Sequence, residues 1–423
     1  MKQLIERIAA VSMLRALAML AGLGTTLLLA RWLGAEEFGR YAFAFSVASL
    51  VTLPFVQGLP VLAVREVSRA EPGQQPLAIA RMHGFTLRLL GVLALGVVLV
   101  GGVAWAGNRW FGAGNSVALL LVAASVPLTG MYGLVLGAML RGQQRDVPGH
   151  VPDLVVRPVG FLVVLGALCL TVARPVALDA MLANLLAALA AVLVGLRLLR
   201  PGSAGLEIPW RPWLASLVPL STVAGMQLIN GEVGVVMLGL FREDAEVGIY
   251  KIAASLALQT SFLLTIVNAV AAPRFAAAYR AGDLVAVRAL NRRAGLAAVA
   301  FGALVFAVFA IGGHWAIGRA LGPDFVAAML PLLILSGAHV ATLFAGSTNV
   351  LLSMIGQERI VLRAAVLALA TNIVLNLVLV PAWGMLGAAI GTALSLATWR
   401  LYLSRQTAKV LRPEPPADKT NEN

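Results

Sequence analysis

Residues 37–46 read EFGRYAFAFS, and residues 246–255 read EVGIYKIAAS. Glutamate, glycine, tyrosine and serine recur in register at an offset of 209, and each segment follows a long apolar run. A second pair, Gly142-Gln143-Gln144-Arg145 and Gly356-Gln357-Glu358-Arg359, repeats at an offset of 214. Two matches at nearly one offset divide the chain into two copies of a single plan.

The material of that plan is apolar. With 60% hydrophobic and 12% charged residues and a mean hydropathy of +0.89, the chain lies outside the range of soluble domains and reads as an integral membrane protein. A helical span takes about 20 apolar residues. The runs between polar breaks predict twelve spans, near 9–33, 40–63, 84–106, 116–140, 154–172, 178–198, 214–240, 247–270, 294–313, 326–352, 361–381 and 384–402. Large soluble domains are excluded. The expected fold is an all-α membrane protein, twelve transmembrane helices in two parallel-repeat six-helix bundles, one over residues 1–205 and one over 206–403. LRPGSAGLEIPWRP (Leu199–Pro212) is the joint, because Pro, Gly and Ser stop helices. The proline-rich residues 404–423 are expected to form a disordered tail. Six spans per half insert both halves the same way up, so a pseudo-two-fold axis runs along the membrane normal; transporters with that symmetry bind substrate between the halves.

The net charge of +13 is read as topology, not as a nucleic-acid footprint. Assigning each Lys and Arg to its nearer membrane face puts 25 of the 32 with the termini and leaves Arg31, Arg40, Arg109, Arg174, Arg242, Lys251 and Arg319 opposite. Both termini are therefore expected in the cytoplasm. Lys2 and Arg7 before the apolar Ala16–Ala30 resemble a signal peptide, but RWLGAEEFG follows in place of a cleavage site, so the segment is kept as a first span. The lone Cys169 has no intramolecular disulfide partner.

RWLGAEEFGRYAFAFSVASLV, LRGQQR with its echo MIGQER, and PAWGMLGAAIGTALS resemble the polysaccharide-transport branch of the multidrug/oligosaccharidyl-lipid/polysaccharide exporter superfamily, the Wzx-type O-antigen flippases. The resemblance covers essentially the whole chain. It implies two bundles forming a V around a central cavity. The implied substrate is an undecaprenyl-diphosphate-linked oligosaccharide, an O-antigen or other surface polysaccharide unit, moved to the outer leaflet of the bacterial inner membrane. Polysaccharide polymerase and chain-length proteins are the candidate protein partners.

Such a headgroup would lose hydrogen bonds at several kcal/mol each, on the order of the cost of burying bare polar groups, if it crossed hydrocarbon unaided. Cations toward the cytoplasmic side suit the diphosphate. Arg15 is the first candidate, on a stripe with Met19, Gly22 and Thr26, against the plainer reading of an arginine snorkelling to headgroups. Arg65 and Arg274, at the cytoplasmic ends of spans two and eight, are further candidates. For the glycan, His339, Thr342, Gly346, Asn349 and Ser353 recur on one face of span ten, Asn372 and Asn376 pair in span eleven, and Gln227 and Asn230 in span seven. The competing role for each pair is hydrogen bonding between helices.

Glu232 interrupts the apolar span seven within LINGEVGVV, on a small-residue stripe with Ser221, Gly225, Leu228, Val235 and Gly239. A carboxylate there must be protonated, paired or hydrated. That leaves ion coupling, a cavity ion pair with Arg15 or Arg242, recognition of an amino sugar, or a neutral structural acid. Gly231 and Gly234 beside it would let the helix bend.

Catalysis finds no motif. His83, His150, His314 and His339 lack metal-ligand spacing, there is no GxxxxGK[ST] and no nucleophile elbow, so no metal or cofactor is expected. The alternative is a cation-coupled multidrug antiporter of the same plan. Acids of spans one to six, Asp153 among them, fall near ends or loops by sequence, which favours the flippase.

Overall fold

The spacing between apolar blocks becomes helix almost everywhere in the computed structural model, which describes residues 2–52, 57–71, 73–111, 114–200, 208–344 and 346–410. The first half contains α1 (Lys2–Thr52), α2 (Leu59–Arg69), α3 (Gln75–Phe111), α4 (Gly114–Gly142), α5 (Asp146–Val151), α6 (Arg157–Thr171) and α7 (Ala177–Leu199). The second contains α8 (Trp210–Phe241), α9 (Asp244–Ala257), α10 (Phe262–Arg280), α11 (Leu284–Leu321), α12 (Met329–Leu343), α13 (Thr348–Met354) and α14 (Glu358–Val410). No strand occurs among the described residues. A π-helical turn, Pro152–Val156, joins α5 to α6, and a 3-10 turn, Leu258–Ser261, joins α9 to α10.

Among the described residues, ten stretches are long and apolar enough to cross a membrane. Two of them, α1 and α14, reverse direction at a glycine: Gly34 has φ 75° and Gly384 φ 54°, backbone states open to residues without a Cβ. Counting the two arms of each separately brings the number of span-like segments among the described residues to about the expected twelve. Span lengths differ more. α11 has 38 residues, about 57 Å at 1.5 Å per residue, so it projects well past the hydrocarbon. Span ten is not one helix: it breaks between Leu343 and Thr348, with Gly346 at φ 67°. α14 runs on to Val410, past the expected start of the tail. The central part of the expected joint, 201–207, and the tail 411–423 lie outside the described residues.

Small residues set the packing, as they must where lipid is as apolar as leucine. α7 turns Ala180, Ala183, Ala187, Ala191 and Gly195 inward, and a Cβ at Gly195 would stand 3.1 Å from Leu136 of α4. Large apolar side chains such as Val92, Leu95, Leu304 and Ile311 point outward into the lipid. Hydroxyls inside helices bond back one turn, as Thr25 does to Ala21 at 2.7 Å and Thr86 to Met82 at 2.8 Å.

The halves meet chiefly along α1 and α9, at the end away from the termini. Nearer the termini α2 packs on α8, where the Gly58 amide donates to Ser221 Oγ at 2.9 Å and Trp213 Nε1 donates to Glu66 at 3.1 Å. The small-residue stripe of α8 is thus a packing face, at Ser221 against Gly58 and at Gly239 against Phe43.

Candidate functional site: two chambers and the seam between them

The repeated decapeptides are the seam. Glu37 accepts a hydrogen bond from the first amide of α7, Ala177, at 2.7 Å, and Glu246 accepts one from Met385, just beyond the Gly384 reversal, at 3.2 Å. Tyr41 Oη takes a bond from Asn184 at 2.8 Å, and Tyr250 Oη shares one with Thr392 Oγ1 at 3.1 Å. Each repeat therefore anchors the last span of its own half through the same two residues. Each acid meets a helix-start amide that has no intrahelical acceptor. Arg40 reaches across to Asp244 at 3.0 Å while also pairing with Glu36 and Glu37, and Arg31 donates to the carbonyl of Ala320 at 2.7 Å. The other repeated motif closes helix ends in both halves, with Arg145 N bonding Leu140 O and Gln357 N bonding Leu352 O. That geometry aligns at an offset of 212, two residues from the sequence match.

Just inside the seam lies an ion pair. Lys251 Nζ is 2.9 Å from Glu232 Oε2, and Ser46 Oγ donates to the same oxygen at 2.6 Å. Lys251 and Glu232 keep 22% and 17% of their side-chain surface exposed. Two expectations need correction. Glu232 pairs with neither Arg15 nor Arg242; Arg242 instead donates to the carbonyls of Val380 and Pro381. Lys251 does not sit at the membrane face: seven residues into α9, it is about 10 Å from that helix's start, level with the carboxylate opposite. Two charges at matching depth on adjacent spans were the available signal. Gly234 also has a packing role. α8 is continuous, and a Cβ at 234 would stand 2.6 Å from Tyr250 Oη.

The first chamber, about 330 Å³, lies in the amino-terminal half and is walled by α1, α6, α7 and the edge of α9. Its polar lining includes Thr25, Thr26, Tyr41, Asp153, Arg157, Asn184, Lys251 and Ser255. Arg157 packs against Gly130, where a Cβ would stand 2.6 Å from Nη1. Among the described residues its guanidinium has no hydrogen-bond or ion-pair partner, although Asp153 is within electrostatic reach. By sequence VPDLVVRP straddles the start of span five, which leaves Asp153 just outside the span and counts Arg157 with the charges of the cytoplasmic face. The π turn carries the helix through those prolines, so Asp153 and Arg157 lie inside a span that runs from Asp146 to Thr171. The expectation that the first six spans hold no interior acid is corrected accordingly. Of the Arg15 stripe, Gly22 and Thr26 line this chamber. Arg15 itself is exposed nearer the termini, within electrostatic reach of Arg141 and His150.

The second chamber, about 380 Å³, lies in the carboxy-terminal half, and Gln227, Asn230, His339, Thr342 and Asn349 all line it. The break after α12 invalidates the continuous-helix spacing that linked the last three, yet the turn at Gly346 keeps them together. Arg400, missed at the sequence level as a span-end charge, lines it too. Asn372 and Asn376 do not. They are fully buried, Asn372 donating to Asn230 Oδ1 at 2.9 Å and Asn376 to Asn372 Oδ1 at 2.6 Å, which ties α8 to α14. Arg65 is ion-paired with Glu66 at 3.1 Å, and Arg274 is exposed; neither lines a chamber.

A chain with this architecture has clear relatives. The family described as polysaccharide biosynthesis protein matches residues 4–278. Among solved structures, the lipid II flippase MurJ in an inward closed conformation superposes with a TM-score of 0.74 at 12% identity, over 94% of this chain and 87% of that one. An inward-facing multidrug resistance MATE family transporter of the MOP superfamily gives 0.71 at 16% identity, over 95% of this chain and 98% of that one. No curated protein sequence matches at a significant level. With the family matched over more than half its length, this chain belongs to the polysaccharide biosynthesis protein family and has the fold of the MOP superfamily exporters.

Proposed function

We propose that the protein is a flippase that carries a polyprenyl-diphosphate-linked oligosaccharide across the bacterial inner membrane by alternating access, with both termini in the cytoplasm and without covalent chemistry. One observation carries this reading: the guanidinium of Arg157, without a hydrogen-bond or ion-pair partner among the described residues and with Asp153 within electrostatic reach, faces a polar chamber inside a span, where an arginine costs up to roughly 2.5–3.5 kcal/mol on insertion scales. That placement suits a ligand that brings the negative charge with it. Arg157 would take the diphosphate through paired N–H donors, with Lys251 and the hydroxyls of Thr25, Thr26 and Ser255 around it. Arg15 and Arg141, within electrostatic reach of each other, form a cationic approach nearer the cytoplasm. The prenyl chain stays in lipid, since only the headgroup needs hydrogen bonds replaced.

In this state the seam at Gly39 and Gly248 closes the outer end, so export requires α1 and α9 to part there. Glu232 holds Lys251 beside the chamber, and a phosphate entering competes for that ammonium. Loss of the Lys251–Glu232 pair on loading would loosen the seam, linking occupancy to opening.

The test is deletion of the gene followed by a leaflet assay. The expected outcome is polyprenyl-diphosphate oligosaccharide trapped facing the cytoplasm and loss of surface polysaccharide, restored by the wild-type gene and not by Arg157→Ala. The second reading, a cation-coupled drug antiporter, is favoured by Asp153 in the same chamber. Intact surface glycan with new sensitivity to cationic drugs would select it.

A further inference from the structure

The second chamber contains a donor and several acceptors that the protein leaves unmatched. Arg400 is its cationic side chain, and among the described residues no Asp or Glu lines the cavity. One guanidinium nitrogen, Nη2, donates to the carbonyl of Gly346 at 3.2 Å, which orients the planar group. Arg400 Nε, by contrast, is buried without a partner, and so are Asn268 Oδ1, Ser347 Oγ and Asn349 Oδ1. All four residues line the same space. A buried polar atom without a partner costs on the order of 1–3 kcal/mol, and four residues carrying such atoms border this one cavity.

The lining has a chemical shape. A single guanidinium with a free N–H edge selects an anion, and a planar one best of all. Amide and hydroxyl oxygens without donors select hydroxyl groups. Trp399 and Tyr250 add aromatic carbon to the lining, the kind of surface against which a pyranose ring packs. The volume, about 380 Å³, is at the lower end of the roughly 300–1,000 Å³ of small-molecule sites. Arg400 lies sixteen residues beyond Gly384, about 24 Å along the helix, so it stands toward the terminal face of a roughly 30 Å core. A headgroup entering from that face meets it early.

We propose that the carboxy-terminal chamber is the glycan-selecting subsite and that it takes a hexose bearing a carboxylate, held by Arg400 with its hydroxyls on Asn268, Ser347 and Asn349. This rests on the flippase reading for its biological role and stands apart from it as a binding statement. Arg157 and Lys251 of the first chamber and Arg400 of this one then serve different groups of the same headgroup: diphosphate on one side, acidic sugar on the other.

The experiment is calorimetry on the full-length purified protein with soluble probes, which needs no transport. The probes are a glucuronyl-N-acetylglucosamine disaccharide, its neutral glucosyl counterpart and inorganic pyrophosphate. The wild type is expected to bind the acidic disaccharide at least about tenfold more tightly than the neutral one, the discrimination of one charge-assisted contact. Arg400→Gln should erase that difference, Arg400→Lys should retain part of it, and Asn349→Ala should weaken both sugars alike; thermal melts establish that each variant is folded. Equal affinity for the two sugars, binding of neither, or displacement of the acidic sugar by pyrophosphate in a manner that depends on Arg400 would each overturn the assignment. If acidic-sugar binding holds and reconstituted protein moves no lipid-linked glycan, the flippase reading falls and the subsite remains.

Discussion

Gly39 and Gly248, at the same place in the two copies of the repeat, lie backbone against backbone. The amide nitrogen of Gly39 is 3.0 Å from where a Cβ on Gly248 would stand, and that of Gly248 is 3.1 Å from a Cβ on Gly39. The repeat is thus visible twice in one place, since the two copies form the contact that joins the halves.

A methyl group at either position has no room. A Cβ at Gly39 would overlap the Asp244 carbonyl, and one at Gly248 the Ala35 carbonyl, both of them backbone. Gly39→Ala and Gly248→Ala are expected to disfavour closure of the far end while leaving each half folded. Thiol-labelling of single cysteines near Asp244 should rise severalfold in either variant, and unchanged labelling would refute the seam as a gate.

Across the same seam, Arg40 and Asp244 stand in contact at 3.0 Å. Bridged by a short bis-methanethiosulfonate reagent that spans the lost side chains, the Arg40→Cys/Asp244→Cys variant should hold the halves together and stop transport until a reductant is added. Transport that continues in the cross-linked form would show that the halves need not separate there.

Lys251 and Glu232 should be more sensitive singly than together. Removing one partner leaves a charge in a largely dry site, at a cost approaching about 3–5 kcal/mol for fully buried pairs and less here because both groups retain some exposure. Melting temperature in detergent is expected to fall for Glu232→Gln and for Lys251→Gln and to recover in the double variant. If stability recovers and transport does not, the pair acts in transport and not only in folding.

The two groups of arginines separate by position. Arg157→Ala should lower affinity for a polyprenyl diphosphate by about 10- to 100-fold, the worth of one or two charged hydrogen bonds. Arg65→Ala, which breaks only the pair with Glu66, is expected to change affinity less than about twofold. Binding measured in nanodiscs checks both, and the reverse order would return the diphosphate to the cytoplasmic ends of the spans.

Asn376→Ala tests glue against recognition. The residue is fully buried and bonds Asn372 twice, so its loss should destabilise the protein by about 1–3 kcal/mol. Headgroup affinity should stay as it is, by the same calorimetry.

Composition and periodicity alone determined the membrane class, the twelve traverses and the two-fold repeat, because hydrocarbon admits one solution for a chain this apolar and each span satisfies its own backbone. The polar interruptions at Glu232, His339 and Asn349 were legible for the same reason: each is costly in lipid and so stands out from the run around it. Which polar groups meet was decided by tertiary structure. Asp153 was hidden at the edge of its span and Arg157 among the charges counted toward the cytoplasmic face, because only packing continues the helix through that proline-rich stretch as a π turn. Lys251 and Arg400 were hidden because a charge near a span end looks like topology until the neighbouring helix supplies a carboxylate or an empty cavity. Partners from distant spans meet at depths set by kinks at Gly34 and Gly384 and by a break at Gly346, and neither spacing along one helix nor charge counted by face contains that information.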